Sequence, residues 1–374
     1  MECIPIILLV SERSGSNLLR SLLGNHHNIC APVAPHLMAE FYNIRQYYGD
    51  LKQRGNAKMI FGDMVALANH PYHDWQLEIE LDSVIENGLV SSVVSSFYTV
   101  YKLKAQQENK LHFCSKGIHS FDFIDPFRAE LENVKFIHLV RDPRDHVASW
   151  MKRPINLLTP YDAIIKWKSE QAEFIDAFNT RGLQCLSIRY EDLVENTSKI
   201  MASVLEYLDV EVDQNCFQTD TTQKSLDWNP YWQNLSKPVI KDNTQKFKKE
   251  LLDEDILLIE TIAKNEMEFF GYAPISSGNW VPSVSFYQNL ERQRKAKKES
   301  IKPRENMHKL DDKLKLMQEI RDVRRKQWGK EDLMGKHIHQ ECDTSGSHFF
   351  RNRLKHLSYA FLGSRLTQKI SNNI

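Results

Sequence analysis

The stretch Ile6 to Leu23, IILLVSERSGSNLLRSLL, constrains this chain more than any other part of it. Ile6, Ile7, Leu8, Leu9 and Val10 form a continuous apolar run as long as a strand buried on both faces, and Leu18, Leu19, Leu22 and Leu23 then recur at helical spacing. A strand, a short loop and a helix follow. The loop, Ser11 to Asn17, gathers hydroxyls, backbone N–H groups and the guanidinium of Arg13 at the positive end of the new helix, an arrangement suited to an anion. It is not the nucleotide-triphosphate loop, because Ser16 and Asn17 follow Gly15 with no lysine. Taken alone, it reads equally well as a solvated turn.

A second segment, Lys135 to Trp150 (KFIHLVRDPRDHVASW), shifts that balance. Phe136, Ile137, Leu139 and Val140 read as another buried strand, and Pro143 opens the helix that carries Val147, Ala148 and Trp150. Arg141 lies at the strand's carboxyl end and Ser149 eight residues on. Two strand ends, each delivering an arginine and a hydroxyl to one edge of a parallel sheet, match the rule that open α/β sheets bind ligands there. One ligand with two anionic ends is expected.

Both segments resemble the cofactor signatures of the sulfotransferase family, which uses 3′-phosphoadenosine 5′-phosphosulfate. The resemblance implies that Arg13, Ser14, Gly15, Ser16 and Asn17 cradle the 5′-phosphosulfate, and that Arg141 and Ser149 bind the 3′-phosphate. A third piece, IRYEDL at Ile188 to Leu193, is similar to a family strand whose tyrosine lies near the adenine, here Tyr190. A fourth, Lys237-Pro238-Val239 through Phe270-Gly271-Tyr272, resembles the family's closing loop and last core helix, and would bring Lys237 and Thr244 to the nucleotide if it closes over it; a solvated lid is the other reading. The likeness spans about residues 4 to 273. It implies a three-layer α/β/α fold with a central parallel sheet and a P-loop-like phosphosulfate loop.

Alternation of strands and helices through Leu111–Cys114, Ser120–Glu132, Tyr161–Thr180, Cys185–Ile188 and Asn196–Leu208 points to the same doubly wound sheet. Residues 37 to 107 read as mostly helical, interrupted at His70-Pro71-Tyr72-His73. With 374 residues, one large core over 1–279 and a basic helical extension over 280–374 are expected. The charge is zero overall but uneven: Val281 to Ile374 holds 21 Lys and Arg against 11 Asp and Glu, leaving 28 against 38 before it. Such a tail docks on its own core, or else meets a partner or a membrane surface peripherally. Nothing in the chain points to nucleic acid. Six cysteines without CxxC spacing indicate reduced thiols, and the absence of a basic start before the first strand argues against a signal peptide, so a cytoplasmic location is expected. In the tail, Met307, Leu310, Leu314 and Met317 suit one face of a helix, whereas His337, His339, Cys342 and His348 match no standard metal site.

Two residues are singled out for the chemistry. After the first helix, Pro32 and Pro35 force an extended path that can carry His36 over the ligand mouth. The tyrosylprotein branch of the family carries a glutamate base in this stretch, so His36 is the candidate general base in its place, with His119 the second candidate. Lys116, at the end of the strand Leu111–Cys114, is assigned to the transferring group, as the family carries a lysine at a similar place. The function read from these parts is transfer of sulfate from the phosphosulfate nucleotide to an acceptor hydroxyl, on a sugar or glycolipid by analogy, without a metal. A nucleotide kinase is disfavoured by the missing lysine. A nucleotide-binding module working through its basic tail is the non-catalytic alternative.

Overall fold

The computed structural model describes residues 2–153, 158–219, 237–278, 280–299 and 308–331. The chain divides into two compact units, one ending at Arg321 and one beginning at Asp322. Of the second, only the end of a helix, residues 322–331, is described. The tail residues His337, His339, Cys342 and His348 and the basic stretch after Phe349 lie outside the described residues.

The first unit is built on five parallel strands: β1 (Pro5–Val10), β2 (Ile29–Cys30), β3 (His112–Lys116), β4 (Lys135–Val140) and β5 (Cys185–Arg189). Their order is β2-β3-β1-β4-β5. All six residues of β1 are buried, which is why its sequence shows no polar alternation. Ile7 and Leu9 face one core with the helices Arg54–Asn69, Val93–Gln107 and Pro160–Asn179. Ile6, Leu8 and Val10 face the other, with the helices Ser16–Gly24 and Thr197–Leu208. The sheet with helices on both sides is thus the three-layer α/β/α arrangement. β1 pairs with β3 on one flank and β4 on the other, so the strand order reverses around it and a crevice opens at its carboxyl end.

Three elements depart from the sequence reading. The pair Ile29–Cys30 extends the sheet by a strand too short for a periodic signal. β5 stops at Arg189, and Tyr190 opens a short helix, Tyr190–Glu195, where the resemblance placed it on a strand. In the tail, the helices Val284–Glu299 and His308–Glu331 form, but the buried face of the latter is Lys313, Met317 and Ile320, with Leu314 exposed. Lys313 and Arg321 both reach Glu40, at 3.1 and 2.8 Å, so an ion pair together with apolar contact fixes that face.

Candidate active site

The loop after β1 is shaped by Ser14. Its hydroxyl and its N–H both donate to the carbonyl of Ser11, at 2.7 and 3.3 Å, which tightens the turn. Arg13 and Gly15 on either side take left-handed backbone angles, with φ of 73° and 91°. Gly15 is the N-cap of the helix Ser16–Gly24 and no side chain caps it, so the helix presents its first N–H groups to the crevice. Ser14 itself is buried in the turn, outside the crevice wall, while Arg13, Gly15, Ser16 and Asn17 line it.

The second loop is set by Asp142 and Pro143. Asp142 caps the helix Pro143–Met151 by accepting from the N–H of Arg144 at 2.9 Å, with proline at the first helical position. Arg144 turns inward and is held between Asp142 and Glu260, each at 2.6 Å. Arg141 turns the other way, into the crevice. Its guanidinium donates to the carbonyls of Arg13 at 3.1 Å and Asn243 at 2.8 Å and stacks over the ring of Tyr190, 4.6 Å from its centre. Ser149 accepts from Nε of Arg13 at 3.0 Å. The two loops therefore interlock through their arginines.

A third segment closes the crevice. Both carboxylate oxygens of Asp145 accept backbone N–H groups, of Gln245 at 2.6 Å and Phe247 at 2.9 Å. Asn243 donates to the Tyr190 hydroxyl at 2.8 Å, and Asn243 and Lys246 enter the wall. Thr244 points instead into a neighbouring pocket beside Asp142 and Tyr272. Lys237 is exposed and away from the crevice, its carbonyl accepting from Thr219. No motif marked Asn243 or Lys246, because their positions depend on Asp145, about a hundred residues earlier. The far end of the crevice is formed by His36, Tyr72, Lys116 and Ile118. Arg20 donates to the carbonyl of Ala31 and so holds the path that leads to His36. The whole crevice encloses about 400 Å³. His119 is not among its lining residues; its ring lies 4.0 Å from Asp122.

Residues 5–214 match the model of the sulfotransferase family. The chain belongs to this family. Among curated proteins, putative protein-tyrosine sulfotransferases of Caenorhabditis elegans and Caenorhabditis briggsae are 25% and 24% identical over 149 residues, 37% of this chain and 57% and 53% of theirs. The chain thus spans about half the length of the curated relatives it matches. Of solved structures, the sulfotransferase domain of the Synechococcus PCC 7002 olefin synthase covers 73% of this chain and 97% of its own, with a TM-score of 0.50 and 18% identity. The sulfotransferase domain from the curacin biosynthetic pathway covers 74% and 99%, with the same TM-score and identity. These two likenesses establish the fold.

The electrostatics of the sulfotransferase's crevice follow from burial. Lys116 is lowered to about 8, first by loss of water and then by Arg20, Arg13 and Arg153, with Glu12 pulling the other way. Burial pushes the Glu12 carboxyl up, but Lys166, Arg153 and Lys116 outweigh it and hold it below its ordinary value. His36 sits at φ 59° and its Nδ1 accepts the N–H of Ile118 at 3.2 Å. Burial, then the charge of Lys116, keeps the ring neutral, well below the ordinary histidine value. A neutral imidazole has one lone pair; with Nδ1 accepting, the proton sits on Nε2 by inference from this bond. In this state Nε2–H of His36 is a hydrogen-bond donor. Among the described residues, His26, His27 and Asp213 bring three possible metal-ligand atoms together, but both nitrogens of His26 already bond to the Asn28 N–H and the Glu211 carbonyl.

Proposed function

We propose that this sulfotransferase uses 3′-phosphoadenosine 5′-phosphosulfate and transfers its sulfuryl group to an acceptor hydroxyl: the acceptor oxygen bonds sulfur as the bond from sulfur to the 5′-phosphate oxygen breaks, and the hydroxyl proton passes to solvent. The observation that carries the reading is the convergence of two anion loops on one crevice whose far end holds Lys116 and a donor histidine. The residues fit a doubly anionic nucleotide. Among the described residues Nε of Arg141 is buried with no partner, and Ser149 and a helix start that no side chain caps line the same crevice. When bound, the nucleotide supplies a sulfuryl group on a phosphate leaving group.

Arg141, Ser149 and Lys246 hold the 3′-phosphate, and the N–H groups from Gly15 to Asn17 hold the 5′ end. Tyr190 borders the nucleotide through its contacts with Arg141 and Asn243. Lys116, a cation below about pH 8, and Nε2–H of His36 donate to oxygens at the reacting centre. Charge develops there during group transfer, so preorganised donors contribute most of the rate. The sulfuryl group carries less charge than a phosphoryl group, and these side chains serve it without a metal. For the acceptor, a sugar or glycolipid hydroxyl remains the first class to screen. A tyrosine phenol is the second, favoured by the names of the two nematode relatives.

The test is calorimetric titration with 3′-phosphoadenosine 5′-phosphate in a chelating buffer, then mass-spectrometric screening of saccharides, glycolipids and tyrosine peptides with the phosphosulfate donor. Binding that is lost in Arg141→Ala/Ser149→Ala, followed by a sulfated product, supports the reading. Absence of binding to the wild type overturns it. Binding with no transfer to any acceptor class favours the non-catalytic module.

A further inference from the structure

A chain of hydrogen bonds runs through the core beneath the first loop. The imidazole of His138, on β4, is fully buried. It lies flat against Phe174, with ring centres 3.7 Å apart and planes 15° apart. Its Nδ1 meets the hydroxyl of Ser187 at 2.9 Å and its Nε2 meets Oε1 of Gln171 at 2.9 Å. Gln171, on the long helix Pro160–Asn179, is fully buried too, and its Nε2 donates to the hydroxyl oxygen of Ser11 at 3.0 Å. Ser11 is the first loop residue, and its carbonyl is the one that both bonds of Ser14 reach.

The bond from Gln171 to Ser11 assigns a polarity to this chain. An amide that donates to Ser11 through nitrogen presents oxygen to His138, so His138 donates through Nε2 and accepts the Ser187 hydroxyl at Nδ1. Burial drives the ring down to about 3, and it remains the neutral tautomer this order demands. Ser11 is thus gripped at its side chain by Gln171 and at its carbonyl by Ser14, on the one turn where Arg13 and Gly15 must hold left-handed angles. A left-handed non-glycine residue is strained and persists only where its surroundings over-determine it. Sheet strand β4, the long helix and the anion loop meet at this grip.

We propose that Gln171, oriented by His138, is a positioning residue for the anion loop, fixing the N–H groups that receive the 5′ end of the nucleotide. The proposal rests on the nucleotide reading above. The 3′ end is held by Arg141 and Ser149 on another loop, which meets this one at Arg13, so the effect is greatest at the 5′ end of the ligand.

Two ligands separate the ends: 3′-phosphoadenosine 5′-phosphate and adenosine 3′-phosphate, titrated calorimetrically into wild type, Gln171→Leu and Ser11→Ala, with circular dichroism as the check on folding. Ser11→Ala removes one oxygen and covers the case in which Gln171→Leu does not fold. Loss of one buried hydrogen bond predicts that the bisphosphate binds about tenfold more weakly while adenosine 3′-phosphate is weakened clearly less. Equal weakening of both ligands, or of neither, overturns the proposal. Failure of the wild type to bind either ligand instead overturns the nucleotide reading.

Discussion

The ring of Tyr190 occupies the space that a side chain on Gly15 would need: a Cβ built there would fall 2.3 Å from Cδ2 of the ring. The same ring carries Arg141 on its face and Asn243 on its hydroxyl. One aromatic side chain therefore touches all three segments that meet at this end of the crevice. Gly15→Ala forces the ring aside and also strains a backbone at φ 91°. Nucleotide affinity should fall by about a hundredfold or more, given one to two kcal/mol for the backbone and further loss from the displaced ring. Titration with 3′-phosphoadenosine 5′-phosphate checks this, and near-normal affinity would contradict the packing described.

Lys116 is expected to set the alkaline limb of activity in the free enzyme. Its folded value is lowered to about 8, so the cation is present below that pH and is lost as pH rises through it. The kcat/KM for the nucleotide should decline above about pH 8, and Lys116→Arg, which keeps its charge, should abolish that decline while slowing the reaction. A pH profile of kcat/KM flat to pH 10 in the wild type would remove Lys116 from the reacting centre.

His36 separates a donor from a base. Glutamine places an amide donor near the position of Nε2 but cannot take a proton, so His36→Gln should keep activity within about tenfold, whereas His36→Ala should lose about 10² or more, as for loss of a preorganised donor. If histidine were the base, both substitutions would cost about 10² to 10⁴ alike. Steady-state rates of the two variants side by side decide it.

The sequence exposes this site unevenly. The two anion loops are legible because each follows a buried apolar run and opens a helix, both short-range patterns carried by neighbours such as Val10 and Gly15, or Val140 and Pro143. Lys116 is legible as a cation on a strand exit. Asn243 and Lys246 are not, since the closing segment has no period and is placed by Asp145. The state of His36 is illegible for a like reason: the Ile118 N–H that uses its lone pair is 82 residues away. Gln171 and His138 look like polar interruptions in apolar elements until the fold lines them up.

Asp145 offers a direct check on the closing segment. Asp145→Ala leaves the N–H groups of Gln245 and Phe247 without their partner, at about 1–3 kcal/mol for buried groups. The KM for the nucleotide should rise about tenfold while acceptor KM stays unchanged, as Lys246 and Asn243 leave the wall. A parallel rise in both constants would assign Asp145 a general structural role.

The surplus positive charge of the sequence beyond Val281 invites the search for an acidic partner. Part of that surplus is consumed within the molecule. Glu40, one turn into the helix that begins after His36, accepts both Lys313 and Arg321, and Lys313 is itself buried. Two of the cations counted in the tail are therefore intramolecular counter-ions of the core, and they neutralise an acid four residues after His36. The local field at His36 is set in part from the far end of the chain, so substitutions around residue 313 belong in any survey of what tunes this site.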